Sequence, residues 1–257
     1  MSKTTPLVLV TRPAEQAAGW VARLQAAGLE AAVLPLIAIH ASDDLQALTQ
    51  AWQDLTLYDM LVFVSPNAVR QFFAHRPDSM AWPAHTLAAT VGPGSSRELR
   101  EAGVPAAQVL EPAAESVSFD SESLWQELKQ RDWQGTRVLL VRGDGGREWL
   151  GERLREGGAR VEAVQAYRRC APVLDSAQQA LLAAARAAPR DHVWLLSSSE
   201  AIDKLASLVP ADADWSQAQA LATHERIAES ARAFGFGRVA LARPKLQAVI
   251  EAVRGMV

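Results

Sequence analysis

The chain has 257 residues, of which 49% are hydrophobic and 21% are charged. This composition is typical of a globular protein with one large domain or two of ordinary size, and it excludes a disordered chain. The formal net charge of −3 gives no support to a surface for nucleic acid or anionic membranes. The single cysteine, Cys170, excludes internal disulfides and a cysteine-based zinc cage.

The apolar runs of the sequence indicate where in the cell the protein is located. None of them approaches the roughly 18 residues of a membrane span. The N-terminal apolar run leads directly into a patterned strand and lacks the organisation of a signal peptide. We therefore expect a cytoplasmic protein with neither a membrane nor a nucleic acid as partner.

Strands and helices alternate along the chain. Short apolar runs predict buried strands, and stretches with an apolar stripe at helical spacing follow most of them. The predicted strands are residues 7–10, 33–39, 60–64, 85–91, 109–110, 137–141, a segment ending at 167, 193–196, 218–222 and 239–242. The predicted helices include residues 45–55, 68–73, 124–129, 147–156, 176–188 and 245–253.

The central stretch, residues 136–172, predicts a βαβ unit with a glycine-rich turn at residues 142–146. Residues 6–39 repeat this pattern, with one gap in the turn. The aligned pairs are Val10 and Val141, Leu24 and Leu154, Gly28 and Gly158, Ile37 and Tyr167, and, further along, Ser65 and Ser198 and Gly103 and Gly235. Two copies half a chain apart predict an α/β fold with two similar doubly wound lobes, whose parallel sheets are covered on both faces.

The residues at the carboxyl ends of the predicted strands are mostly hydroxyl, glycine or arginine residues. Ligands of open parallel sheets bind beyond these ends, and turns into helices offer free backbone N–H groups to anions. The candidate binding residues are Thr11, Arg12, Ser65, Ser95, Arg142, Gly143, Ser198 and Thr223. Helix capping is the alternative for each turn alone, and Ser95 has capping-box spacing to Glu98. Matched turns in both halves favour a ligand with several negative groups.

Motifs for cofactors and metals are weak or absent in the sequence. The dinucleotide pattern that Gly143 and Gly145 begin has Glu148 in place of its third glycine, and no phosphate-binding loop of the G-x-x-x-x-G-K-[ST] type occurs. The five histidines show no i, i+4 pairing. We therefore expect neither an organic cofactor nor a metal.

Tyr167 is the candidate catalytic residue. It ends a strand where the chain leaves a lobe, and its phenol can donate or accept a hydrogen bond. The alternative is a half-buried packing residue.

Several short motifs occur along the chain in a defined order and spacing. They are LVTRP at residues 9–13, the Gly28 stop before AAVLPL, LVFVSPNAV at 61–69, ATVGPGSSREL at 89–99, SESL at 121–124, and LLVRGDGGRE through to Tyr167. Together they resemble the uroporphyrinogen-III synthase family over essentially the whole chain. The resemblance implies a monomeric, cofactor-free enzyme that closes the linear tetrapyrrole hydroxymethylbilane. The enzyme would invert the last ring through a spiro intermediate, release water and make a transient contact with the preceding deaminase.

The resemblance also implies a discontinuous domain arrangement with flavodoxin-like topology in each lobe. Residues 1–35 and 173–257 would form domain one, and residues 43–163 would form domain two. Residues 36–42 and 164–172 would be the linker strands, and the substrate would bind between the lobes.

For the site, the resemblance implies that Tyr167 is the proton donor and that Ser65 and Ser95 lie near the ligand. One departure concerns the C-terminal turn, where Ile227 stands in place of a hydroxyl residue and Thr223 is the nearest substitute. Two other functions stay open from the residues alone. They are a two-lobed small-molecule binding protein, and a dinucleotide-dependent oxidoreductase, which the broken glycine pattern disfavours.

Overall fold

The computed structural model describes residues 5–114, 116 and 118–256. Residues 1 and 257, the predicted outer bounds of domain one, therefore lie outside the described residues. The chain divides into two compact units. The first unit consists of Met1–Ala38 with Cys170–Val257, and the second unit of Ile39–Arg169.

The helices and strands alternate, as the sequence predicts. The strands are β1 Leu7–Val10, β2 Ala31–Val33, β3 Ala38–Ala41, β4 Met60–Phe63, β5 Leu87–Thr90, β6 Val109–Leu110, β7 Arg137–Gly143, β8 Arg160–Cys170, β9 His192–Leu196, β10 Gln219–Ala222 and β11 Arg238–Leu241. The helices are α1 Ala14–Ala26, α2 Leu45–Gln53, α3 Pro66–Phe73, α4 Pro93–Glu101, α5 Ser121–Leu128, α6 Trp149–Glu156, α7 Ser176–Ala187, α8 Ser199–Leu208, α9 Glu225–Phe234 and α10 Leu246–Arg254.

The sheet of the first unit has the strand order β11-β10-β9-β1-β2, and its neighbours are parallel. Counted from the N-terminus within this unit, the order is 2-1-3-4-5, which is the flavodoxin-like arrangement. The predicted doubly wound α/β fold is confirmed.

The sheet of the second unit has the order β3-β8-β7-β4-β5-β6. The pairs from β8 to β6 are parallel. If the count starts at β7, the five strands from β8 to β6 again read 2-1-3-4-5. The two units thus share one topology in a permuted chain order. This permutation explains why β1-α1-β2 aligns in sequence with β7-α6-β8.

The hydrophobic cores of the second unit lie on both faces of its sheet. Leu61 and Phe63 pack with α2, α3 and α4, whereas Met60 and Val62 pack with α5 and α6. Alternate residues of one strand point to opposite faces, so a fully buried β4 supplies both cores.

Two predictions of local structure are wrong. The single strand predicted at residues 33–39 is two strands, β2 and β3. Pro35 lacks an N–H group and interrupts the ladder, while the flanking Leu34 and Leu36 donate their N–H groups to Val10 and Thr11.

The predicted capping box at Ser95 is also wrong. Helix α4 begins three residues earlier than a cap at Ser95 requires, with Gly92 as N-cap and Pro93 at the first helical position. Glu98 is therefore free to bind elsewhere, and its carboxylate accepts from Nε of Arg70 at 2.9 Å.

Gly19→Ala should stabilise the protein by about 0.5–1 kcal/mol, because glycine in a helix interior costs backbone entropy. Gly19 is exposed within α1, and an added Cβ would meet no described atom within 4 Å. Chemical denaturation would measure the change. Gly28→Ala is the matched control, since it too has open space but a φ of +81°, and we expect it to destabilise. A destabilised Gly19→Ala would contradict the placement of this helix.

Candidate active site

The site is built where the direction of chain connection reverses in each sheet. In the second unit, β7 leads through α6 to β8 on one side, whereas β4 leads through α3 to β5 on the other. The turns after β7 and β4 therefore flank the topological switch point, where doubly wound folds bind their ligands. The first unit has the equivalent point between β1 and β9.

Tyr167 lies at the switch point of the second unit, where it is 1% exposed. A register shift between Arg142 and Gly143 sets Gly143 opposite Tyr167. A Cβ on Gly143 would lie 2.6 Å from Cζ of Tyr167, which is closer than such atoms approach. Only glycine at this position lets the phenol ring cross β7.

The Tyr167 hydroxyl has two hydrogen-bond partners. Nη2 of Arg169 donates to it at 2.9 Å, and it shares a hydrogen bond of 3.0 Å with Oγ of Ser65. Ser65 is the N-cap of α3, and its Oγ accepts from the backbone N–H of Ala68 at 3.1 Å. Unlike Tyr167, Ser65 is partly exposed. The structure thus brings together Ser65, Gly143 and Tyr167 of the predicted set.

Arg169 is a site residue that sequence reasoning did not single out. Its backbone N–H donates to Oδ1 of Asp144 at 2.8 Å, and its Nη1 donates to the Asp144 carbonyl at 3.2 Å. Its guanidinium carbon lies 5.2 Å from the centre of the Tyr167 ring. A signal was available, because residues two apart on a strand share one face, and Arg169 follows Tyr167 by two.

Arg142 and Gly143 lie within β7 instead of in the predicted turn, because the pairing with β8 continues to Gly143. The side chain of Arg142 forms an ion pair with Glu148. Ser95 is buried in the first turn of α4. An added Cβ on the preceding Gly94 would lie 3.4 Å from Cγ of Pro66, so the turns after β4 and β5 are close neighbours.

The first unit places Thr11 and Arg12 at its own switch point. Thr11 is buried, and its Oγ1 donates to the Leu195 carbonyl at 2.7 Å, which ties β1 to β9. The guanidinium of Arg12 stacks 5.1 Å from the Trp20 ring. Burial lowers the pKa of Arg12, and its Nε has no hydrogen-bond partner among the described residues. A carboxylate would satisfy this donor.

Ser198 and Thr223 follow β9 and β10 of the first unit. Ser198 is the N-cap of α8, yet within the described chain its side chain makes no capping hydrogen bond. The Thr223 N–H donates to the Leu196 carbonyl at 3.1 Å. His224 caps α9, its Nδ1 accepting from the Arg226 N–H at 3.2 Å, and Ile227 is buried. The side chain at position 227 is therefore used for packing in this protein.

The other tyrosine of the chain, Tyr58, lies at the opposite end of the second sheet, just before β4. Its hydroxyl donates to Oε2 of Glu162 at 2.8 Å, and Arg137 pairs with the same carboxylate at 3.0 Å. Burial and the bond to Glu162 raise the pKa of Tyr58. Hydrogen bonds from Tyr58 and Arg137 lower the pKa of Glu162 below its usual 4.5.

Glu162→Gln should make stability less dependent on pH in acid. A carboxylate whose pKa is lowered by folding stabilises the fold fully above 4.5, and this contribution is lost as pH falls through the lower folded pKa. Because the side chain is half exposed, we expect a loss of at most about 1 kcal/mol at neutral pH. Unfolding free energies at a series of pH values would measure it. If the unfolding free energy fell equally steeply with pH in both proteins, the hydrogen bonds of Glu162 would not contribute to stability.

The described residues contain neither a metal-binding cluster nor a membrane-spanning helix. No group of three or more His, Cys, Asp or Glu residues there could hold a metal ion. No helix among them is both long enough and apolar enough to cross a membrane.

The fold and the site define a class of protein. It is an α/β protein of two doubly wound units, with hydroxyl and arginine residues at the switch point of each and Gly143 at that of the second. The family model described as "Uroporphyrinogen-III synthase HemD" matches residues 18–251. The chain belongs to the uroporphyrinogen-III synthase family.

Relatives agree with this assignment, and solved structures agree with the fold. The uroporphyrinogen-III synthase of Salmonella typhimurium is 31% identical over 244 residues, covering 91% of this chain and 94% of the relative. That of Escherichia coli is 30% identical over 243 residues, with the same coverage. A mutant uroporphyrinogen III synthase from Thermus thermophilus shares the fold with a TM-score of 0.61 at 16% identity, over 98% of both chains. The Helicobacter pylori synthetase does so with a TM-score of 0.60 at 14% identity, over 99% of this chain and 100% of its own.

Proposed function

We propose that this protein converts hydroxymethylbilane into uroporphyrinogen III. As a cyclising hydro-lyase it closes the linear tetrapyrrole, inverts the last ring and releases water. The observation that carries the proposal is the family match over residues 18–251, which includes the switch point of the second unit. The hydroxyl cluster around Tyr167 indicates which residues act.

The main task of the enzyme is to orient the substrate, because the bond to the leaving hydroxyl breaks readily. The substrate loses its hydroxyl readily and closes unaided to the wrong isomer, so the enzyme must hold the last ring for attack through its substituted carbon. One proton donor at the leaving oxygen assists the loss of water. Tyr167 is our candidate for the source of that proton, since its hydroxyl is held at the switch point by Ser65 and Arg169.

The carboxylates of the substrate need many N–H donors, which the strand-end turns provide. In the first unit, we propose Arg12 as an ionic anchor, because its buried Nε lacks a partner in the described chain. Ser198, whose side chain makes no capping hydrogen bond in the described chain, and Thr223 would offer hydroxyl groups to the same carboxylates. Since the Thr11 hydroxyl is bonded to Leu195, Thr11 would contribute only its backbone.

In the second unit, further carboxylates would bind to the backbone around Ser65 and Ser95 at the N-termini of α3 and α4, and to the backbone that follows Gly143 at the end of β7. Arg142 would exchange Glu148 for a substrate carboxylate, keeping one ionic partner in either state. A net acidic protein can bind a polyanion in this way, because the donors are local and fixed.

We further propose the setting of the reaction. The enzyme is a cytoplasmic monomer that receives its labile substrate from the preceding deaminase in a transient contact. In this proposal, domain one consists of residues 1–35 and 173–257, and domain two of residues 43–163. Residues 36–42 and 164–172 are the linker strands that join the two domains.

A coupled assay tests the function. Porphobilinogen and the deaminase generate the bilane, and chromatography of the oxidised products resolves isomers III and I. We expect isomer III only when this protein is present. A two-lobed binding protein or an oxidoreductase would leave isomer I as the product.

Prolonged dialysis against a chelator should leave the rate of isomer III formation unchanged. The reason is that the proposed groups, a phenol, a hydroxyl, arginines and backbone amides, complete the reaction without a Lewis acid. The control is the dialysed protein with Mg²⁺ or Zn²⁺ restored. A rate lost on dialysis and recovered with metal would refute a cofactor-free reaction.

A further inference from the structure

We infer that Ser65 donates the proton to the leaving oxygen and that Tyr167 replaces the proton on Ser65. Arg169 donates a hydrogen bond to Tyr167, so the three side chains form one hydrogen-bond chain. This inference rests on the proposed function and names the group that meets the reacting atom. Its first basis is exposure. Tyr167 is 1% exposed and belongs to the core of the second unit, whereas Ser65 is partly exposed at the N-terminus of α3.

The second basis is a count of donors and acceptors. A guanidinium can only donate, so the Tyr167 oxygen must accept from Arg169. Between Tyr167 and Ser65 either oxygen could donate. If Ser65 donated, the phenol hydrogen would have to find another acceptor inside the core, at the cost of a buried unpaired donor.

The opposite direction satisfies all three groups. Tyr167 donates to Ser65, whose oxygen also accepts from the Ala68 N–H, so both its lone pairs are used. Among the described residues, the Ser65 hydrogen is then the one without an acceptor, and it lies on the partly exposed residue. The charged donor at 2.9 Å also polarises the phenol and makes it a better donor.

Arg169 is therefore a positioning residue. Its own place is fixed by Asp144, which accepts from its backbone N–H through Oδ1 and from Nη1 through the carbonyl. The Asp144 N–H in turn donates to the Tyr167 carbonyl at 2.9 Å. These bonds fix the guanidinium beside the phenol before substrate binds.

The proton balance of the step is complete. The bond from the methylene carbon to the hydroxyl oxygen breaks, and its electron pair stays on oxygen. That oxygen takes the Ser65 proton and leaves as water, while Ser65 takes the Tyr167 proton. The phenolate remains beside the Arg169 cation, and the methylene cation is attacked by the substituted carbon of the last ring. In the resulting spiro intermediate the older bond from this carbon to its bridging methylene breaks, and that methylene bonds to the free α-carbon of the same ring. The proton that this α-carbon then loses passes to Ser65, which returns its own proton to the Tyr167 phenolate.

Kinetics of single and double variants test the chain. Ser65→Gly removes the hydroxyl but is tolerated at an N-cap at a cost of only a few tenths of a kcal/mol, so the fold is kept. We expect kcat to fall about 10- to 100-fold with KM little changed. Ser65→Thr keeps both the cap and the hydroxyl and should restore most of the rate. Arg169→Met should lose no more than Tyr167→Phe, and Arg169→Lys should retain part of the rate.

The rate of the double variant tests whether Ser65 and Tyr167 act in one hydrogen-bond chain. Members of one chain act together, so Ser65→Gly with Tyr167→Phe should be no slower than Ser65→Gly alone. Losses that multiply in the double variant would overturn the chain, as would a Ser65→Gly variant with raised KM and unchanged kcat. Wild-type protein that gives only isomer I would instead refute the proposed function, so the two failures are distinguishable.

Discussion

Tyr167→Phe is expected to lower kcat for isomer III formation by about 10- to 100-fold and to leave the fold intact. The substitution removes one hydroxyl, which accepts from Arg169 and bonds Ser65. Loss of a proton donor typically costs about 10²–10⁴-fold, and a leaving group that departs readily places the effect at the low end or below it. Steady-state rates from the coupled assay, with circular dichroism for the fold, measure the result.

Tyr58→Phe is the matched control for this variant. Tyr58 is the only other tyrosine of the sequence, is also buried, and donates its hydroxyl to Glu162 at the far end of the sheet. We expect a small loss of stability, about 0.5–1.5 kcal/mol, and an unchanged kcat. Equal rates for wild type and Tyr167→Phe would reduce Tyr167 to a packing residue.

Gly143→Ala is expected to lower both stability and activity. The new Cβ would lie 2.6 Å from Cζ and 2.7 Å from Cε2 of Tyr167, so the buried ring must move. Overpacking of this kind costs about 1–3 kcal/mol. Because the displaced hydroxyl would lose its bonds to Ser65 and Arg169, the fall in kcat should at least equal that of Tyr167→Phe. Denaturant unfolding and the coupled assay measure the two effects.

A second substitution separates the clash from other effects of the glycine. If the ring is the obstacle, the stability cost of Gly143→Ala should shrink in a Tyr167→Leu background, because the smaller side chain leaves room. Equal costs in both backgrounds would mean that Gly143 is needed for backbone reasons and not for the passage of the ring.

The fold was largely predictable because its signals are local. Buried strands such as β4 are continuous apolar runs, and helix starts such as Ser65-Pro66 carry capping residues. The aligned copies of β1-α1-β2 and β7-α6-β8 predicted two similar lobes. The split of the predicted strand 33–39 was missed, since it depends on how Leu34 and Leu36 bond to β1.

The candidate site was predictable as a set of turns but not as a geometry. Position along the chain suggested Ser65 and Tyr167 separately, and no local pattern showed that their oxygens are 3.0 Å apart. The register shift at Arg142 and Gly143 creates that contact, and register is set by tertiary pairing. The spacing of Arg169 from Tyr167 indicates only a shared face, because the position of its guanidinium depends on Asp144, which follows the adjacent strand β7.

The number of isomer III molecules formed per molecule of protein tests the central claim most directly. With the deaminase and porphobilinogen in large excess, catalysis predicts many turnovers for wild type and Tyr58→Phe. For Tyr167→Phe it predicts a slower rate with isomer III still the product. The proposal would be contradicted by isomer I alone, or by isomer III that never exceeds one molecule per molecule of protein.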